Sequence, residues 1–246
     1  MSSIDIELGE RVPALIKALS EPCPNCGYEA PESSESESYQ DDWKDCQRCP
    51  LQATRRNVVF ASGNLVDPKI FVVGQSPGEQ EDLQGKPFVG PVAAHLNGVM
   101  RHVGIDRETD CCVTNTVSCR PWIPQTGKNV PPSCKSILAC KPRLNEEWNK
   151  VKDSVKCVVL VGKEAFLTWM LSESLEKNKI DPNRIRLGSV LGWQEPDEGP
   201  PAYVVYHPSY IARAAKREIS EAWAQDWNAI SHFVKTGEKI DPRSSN

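Results

Sequence analysis

The chain has 246 residues, 39% of them hydrophobic, and a net charge of −4. That is enough apolar content for one α/β core with length left for a small appendage, and the charge excludes a protein that coats nucleic acid by bulk attraction. No apolar run approaches the roughly 20 residues a membrane helix needs, and the N-terminus lacks a basic, apolar, small-residue leader pattern, so a soluble intracellular (cytoplasmic) protein with no membrane partner is expected.

Taken in chain order, residues 1–20 read as an amphipathic helix, with Val12, Leu15, Ile16 and Leu19 at helical spacing. Cys23-Pro-Asn-Cys26 follows, then an acidic, Ser-rich run from Glu29 to Asp42 with too few apolar groups to pack. A boundary near Trp43 makes 1–42 an N-terminal appendage, 43–236 the main domain and 237–246 a flexible tail. The chain holds ten cysteines, which in a reducing compartment point to metal ligands or buried thiols rather than disulfides. Cys46-Gln-Arg-Cys49-Pro-Leu repeats the Cys-x-x-Cys spacing, so the two pairs suit a four-cysteine zinc ribbon; alternatively, Cys46 and Cys49 join cysteines far downstream.

From Asn57 onward, short apolar runs alternate with helical patterns. The expected strands are 58–60, 70–73, 112–114, 157–161 and 203–206, and the expected helices are 91–103, 133–150, 163–172, 209–217 and 219–235. That alternation implies a mainly parallel sheet covered on both faces.

Polar motifs leave the carboxyl ends of three of these strands, and parallel topology puts them on one sheet edge, where such folds bind ligands. The first runs from Gly74 to Gly90 with four glycines and two prolines, which specify a tight, fixed loop. It is no phosphate-cradling Walker loop, because six residues separate Gly78 from Gly85 and Pro87 replaces the Ser or Thr. The others are Thr114-Asn-Thr-Val-Ser-Cys-Arg-Pro121 and His207-Pro-Ser-Tyr210. The Asn115 side chain offers an acceptor and a donor side by side, matching the carbonyl and N–H edge of a pyrimidine such as uracil. Phe88 supplies a face for that base, and His207 a group to stabilise a base that departs as an anion.

These motifs, with Lys86-Pro-Phe-Val-Gly90 and Cys46-Gln-Arg-Cys-Pro-Leu51, resemble in kind and order the iron–sulfur (family 4-like) branch of the uracil-DNA glycosylase superfamily, from about residue 43 to 233. The resemblance implies a three-layer α/β/α fold around a central four-stranded parallel sheet, with a pocket for a flipped base. It implies base binding by Phe88, Asn115 and Gly74, and catalysis by His207 with Gln75 on the water side. It also implies a 4Fe-4S cluster on Cys46, Cys49, Cys119 and Cys140, with Cys134 the rival for the fourth ligand and zinc the alternative metal. Cys111, Cys112 and Cys157 then read as buried small hydrophobes.

The sequence departs from the family where Gln75 stands, a position usually acidic in the nearest relatives. Gln can orient water or read a base but cannot act as a carboxylate base; Asp82 or Glu81 would then substitute, or the pocket would take another, modified pyrimidine. After His207, Ser209 suits a helix N-cap, Tyr210 or Ile211 a wedge into the vacated base stack, and Arg213 and Lys216 a DNA backbone. The resulting expectation is a monomeric, monofunctional DNA glycosylase with DNA as partner. Its rival is a non-catalytic nucleic-acid binding or damage-sensing module that uses the same pocket.

Overall fold

The computed structural model describes residues 39–171, 181 and 184–243. The helix expected over 1–20 and the pair Cys23 and Cys26 lie outside the described residues.

The sheet is built on four parallel strands, β2 (Ile70–Gly74), β3 (Cys111–Asn115), β6 (Cys157–Val161) and β8 (Ala202–Val205), in the order β3-β2-β6-β8. Two short antiparallel strands extend it to six, β1 (Ser62–Gly63) on β3 and β7 (Gly192–Gln194) on β8. The central strands are β-branched and apolar because both faces are covered: Ile70 to Val73 and Cys157 to Val161 are all fully buried.

Successive side chains on β2 therefore enter different cores. Phe71 and Val73 meet Leu144 of α5 (Cys134–Val151) and Phe166 of α6 (Lys163–Met170), while Ile70 and Val72 meet Leu96 of α3 (Ala93–His102) and Trp227 of α8 (Arg217–Thr236). Helices on both faces give the expected three-layer α/β/α architecture. The sequence order reverses between β2 and β6, and at such a switch point the loops at the strand carboxyl ends part to form a crevice.

The expected strand over 58–60 is absent: Val59 donates one hydrogen bond to the Ser118 carbonyl (2.8 Å) and the paired residues are Ser62 and Gly63. The loop after β2 contains a helix, α2 (Glu79–Gln84), which its glycines and prolines obscured. Residues 122–129 form a hairpin, β4 (Trp122–Ile123) with β5 (Lys128–Asn129). At the N-terminal boundary, α1 (Tyr39–Lys44) packs on the main body, with Tyr39 and Trp43 buried. The tail is not loose over 237–243: the Trp193 indole donates to the Ile240 carbonyl (2.8 Å), and Arg243 forks onto the buried carboxylate of Asp226.

Candidate active site

Gly74 and Asn115 end adjacent strands in register, so both loops leave the sheet side by side. The site is an open cleft of about 520 Å³ beside them, bordered by Gln75, Phe88, Asn115, His207, Ser209 and Arg213.

The wall formed by the first loop is held by Glu81. From α2 its carboxylate accepts hydrogen bonds from the backbone N–H groups of Gly78 (3.0 Å), Val89 (2.9 Å) and Gly90 (2.6 Å), closing the loop on itself. Arg107, just after the Asp106 cap of α4 (Arg107–Asp110), donates to the carbonyls of Pro87 (2.6 Å) and Phe88 (3.1 Å). Between these clamps Phe88 adopts a left-handed conformation (φ 53°) that a non-glycine residue holds only when its surroundings enforce it. Its ring lies 6.5 Å from the His207 ring at a tilt of 33°.

Gly74 is where side chain is forbidden: a methyl group there would collide with the Asn115 amide oxygen and the Phe88 ring. We expect Gly74→Ala to displace both and to slow turnover about 10²-fold, because an error near 1 Å in a positioned group costs that much. Single-turnover kinetics on folded protein would check it.

Asn115 is 3% exposed; its backbone carbonyl is engaged by Arg143, and its side-chain amide makes no hydrogen bond to the described residues. Both hydrogen-bonding groups of that amide are therefore open to a ligand. His207 caps α7 (Pro208–Ala214), with Pro208 preset at the first helical position. Its Nδ1 accepts from the Ser209 N–H (3.2 Å) and lies 2.8 Å from the Ser209 hydroxyl. An N–H pointed at Nδ1 requires that atom to be unprotonated, so the neutral ring carries its proton on Nε2. Burial first, and the Arg213 charge second, push the His207 pKa down to about 4.

Several expected residues stand elsewhere than their sequence suggested. Asp82 is buried away from the cleft, its Oδ1 accepting from the N–H groups of Arg56 (2.9 Å) and Asn57 (3.2 Å), so it is a structural pin and not a water-side base. Asp82→Ala should lower stability by about 1–3 kcal/mol through the two orphaned donors, yet leave the folded protein's turnover near wild type; thermal unfolding beside a rate assay separates the two. Glu81 borders the cleft, but its oxygens are spent on the three loop N–H groups. Ser209 is the second residue of α7, not its cap, and Ile211 is buried in the core, which removes it as a wedge. Tyr210 is 38% exposed and stacks on Tyr206 with ring centroids 4.5 Å apart. Arg213 and Lys216 are both exposed, but only Arg213 borders the cleft.

Four cysteines gather behind the Asn115 turn. Burial, then the charges of Cys140, Cys49 and Cys46, push the Cys119 thiol up to about 12, and burial and the Cys140 and Cys46 charges also raise Cys49. Cys140 thus bears on both, ahead of any other cysteine. Two cations attend the group: Arg55 donates to the Cys46 carbonyl (2.6 Å) and lies 3.9 Å from Cys119 Sγ, and Arg143 lies 3.7 Å from Cys140 Sγ. Among the described residues no group of three or more His, Cys, Asp or Glu side chains is arranged to hold a metal ion. Cys111, Cys112 and Cys157 are buried in the sheet.

Sequence reasoning missed the Glu81 clasp, and it missed the pair Arg143 and Glu147, whose four-residue spacing looks like an ordinary surface pair but is buried. The hairpin was also missed; its Asn129 joins the cleft wall, with Oδ1 held by Arg120 at 2.7 Å.

The profile of the Uracil DNA glycosylase superfamily matches residues 60–230. The chain is similar to the Type-4 uracil-DNA glycosylase of Thermotoga maritima, 33% identical over 192 residues that cover 78% of this chain and 91% of that protein. It is also similar to the Type-4 uracil-DNA glycosylase of Saccharolobus solfataricus, 30% identical over 217 residues that cover 84% and 95%. With a superfamily match across most of the folded core and relatives aligned over nearly their whole length, this chain belongs to the uracil DNA glycosylase superfamily.

Proposed function

We propose that the protein is a DNA glycosylase that flips uracil out of DNA and hydrolyses its N-glycosidic bond. The observation that carries this reading is the convergence, at one cleft, of an open amide (Asn115), a stacking ring (Phe88) and a neutral imidazole with its proton on Nε2 (His207). In this reading the Asn115 amide pairs with the carbonyl and N–H edge of uracil, and Phe88 covers its face. As the bond to the sugar breaks, the pair of electrons stays on the base. The His207 Nε2–H donates to a carbonyl oxygen of the base and stabilises the anion as it forms.

Gln75, at the start of the first loop, borders the cleft and is the group that orients the attacking water; it cannot remove a proton from it. Ser209, Tyr210, Arg213 and Lys216 form the DNA-facing side: Arg213 at the mouth of the cleft meets phosphate, and the exposed Tyr210 occupies the space left by the flipped nucleotide. No helix among the described residues is long and apolar enough to cross a membrane.

The cysteines fit an iron–sulfur centre: the charges of Cys140, Cys49 and Cys46 bear on the buried Cys119 thiol, those of Cys140 and Cys46 bear on Cys49, and two guanidinium groups face the sulfurs of Cys119 and Cys140. All-thiolate ligation suits a 4Fe-4S cluster, with zinc as the alternative. When bound, such a cluster would crosslink the segment before β1, the Asn115 turn and α5. A brown preparation with a thiolate–iron absorption band is the expected result; a colourless protein containing zinc would overturn it.

The test of function is abasic-site formation on duplexes carrying uracil, hypoxanthine or hydroxymethylated pyrimidines. Uracil release abolished by Asn115→Ala supports the proposal. Gln75 sustains a second reading, a damage-binding module without turnover, which tight uracil-DNA binding with no abasic product would favour. Release of a modified pyrimidine but not uracil would instead assign Gln75 to an altered pocket.

The pH profile follows from His207. Because its pKa stands near 4 rather than the ordinary 6.5, excision should show no His207 titration between pH 5 and 8 and should fail as pH drops through about 4, where protonation breaks the Ser209 N–H bond. Between pH 6.5 and about 4 the unfolded chain takes up this proton and the folded chain does not, so acid also lowers stability across that window.

A further inference from the structure

Arg143 is 0% exposed and sits on α5 between Cys140 and Glu147. Its guanidinium is a fork with one tine on each of two tasks. Nη1 donates to the Thr114 hydroxyl (2.9 Å) and pairs with the Glu147 carboxylate. Nη2 donates to the backbone carbonyls of Asn115 (2.6 Å) and Thr116 (3.2 Å), and lies 3.7 Å from Cys140 Sγ. On the other side of the same turn, the Thr116 N–H (2.8 Å) and hydroxyl (3.0 Å) both donate to the Gly74 carbonyl.

The strand ends here, so the ladder no longer provides partners for these carbonyls and a side chain must. A buried ion pair is seldom better for stability than apolar packing of the same volume. What this one supplies is a fixed direction: the turn that aims the Asn115 amide is pinned by Gly74 on one side and Arg143 on the other. The nitrogen that holds the Asn115 carbonyl is the same one that faces the Cys140 sulfur.

We propose that Arg143 is a positioning residue that sets the direction of the Asn115 amide and links it to ligation at Cys140. A ligating sulfur carries thiolate character and accepts a charge-assisted hydrogen bond, roughly twice as strong as a neutral one, so a loaded cysteine centre holds Nη2 in place against both carbonyls. The proposal rests on the reading of Asn115 as the group that binds the base edge.

The probe is free uracil, its affinity for the full-length holoprotein measured by calorimetry, together with the ¹H–¹⁵N resonance of the Asn115 side-chain amide. Arg143→Lys keeps the charge but loses the fork. It should keep the visible absorption of the cluster, shift the Asn115 resonance and weaken uracil binding about 10-fold, the scale of losing an outer-shell partner. Because a lone buried charge can unfold the variant, the double change Arg143→Met with Glu147→Met removes both charges, and it too should bind uracil weakly while remaining folded by circular dichroism. Cys140→Ser should weaken uracil binding, and adding Arg143→Lys to it should bring no further loss, since both act through one nitrogen.

Wild-type uracil affinity in Arg143→Lys and in the double Met variant, or additive losses in the Cys140 combination, would overturn the proposal. Asn115→Ala separates the two levels. If it abolishes uracil binding while the Arg143 variants keep wild-type affinity, only the Arg143 link fails; if it binds uracil normally, the reading of Asn115 falls and the link falls with it.

Discussion

Replacing His207 with alanine is expected to slow base release about 10²–10³-fold, the usual cost of removing one preorganised donor aimed at developing negative charge. The size follows from how firmly the ring is set. Pro208 starts α7 directly after it, the Ser209 N–H occupies Nδ1, and the Nε2 proton is left as the ring's one donor. A donor that meets a neutral carbonyl in the bound base and an anion in the transition state gains strength between the two. The loss should therefore appear in kcat, with KM little changed. Removing the cap also costs α7 about 1 kcal/mol, too little to unfold a domain of this size, so circular dichroism should show an intact fold. Single-turnover rates on uracil-containing duplex check the prediction, and a rate near wild type would remove His207 from the chemistry.

Glu147→Ala should be the most destabilising single change in the polar interior, by about 3–5 kcal/mol, because it leaves a buried cation without its counter-ion. Glu147 is 2% exposed, and its carboxylate also accepts from the Ala61 N–H (3.0 Å), the Thr114 hydroxyl (2.6 Å) and the Tyr39 hydroxyl (3.4 Å). Truncation removes the acceptor from all of these and the counter-ion from Arg143, and it takes away one of the contacts that hold α1 on the body. At roughly 2–4 °C per kcal/mol for a domain of this size, Tm should fall by about 10 °C. Glu147→Gln keeps one acceptor oxygen but loses the charge and turns the other oxygen into a donor, so it should fall between wild type and Glu147→Ala. Thermal unfolding of the three proteins orders them, and equal Tm values would mean that Arg143 finds another partner.

How far the site could be read in advance depends on the kind of signal each residue leaves. Asn115 and His207 follow apolar runs whose β-branched residues leave little choice but a buried strand, so their place at one edge of the sheet was legible from the chain. The edge strands and the hairpin were not, since two-residue strands carry no period to detect. Glu81 and Asp82 are neighbours of one chemical type, and the chain alone made them interchangeable. On a helix one residue is a rotation of about 100°, so Glu81 turns to the cleft and the loop while Asp82 turns into the body.

The amino-acid sequence by itself determined the parallel α/β core, the edge at which its polar loops emerge and the residue types they present, because burial on both faces of a sheet demands long apolar runs and leaves polarity to the strand ends. Only the tertiary structure decided which carboxylate borders the cleft, which tautomer His207 adopts, and that Cys140 bears on Cys119 and Cys49. It also turned an ordinary helical pair, Arg143 and Glu147, into the buried link between cysteine and Asn115. These are matters of direction and distance between residues far apart in the chain, set by packing across the sheet, and no local pattern records them.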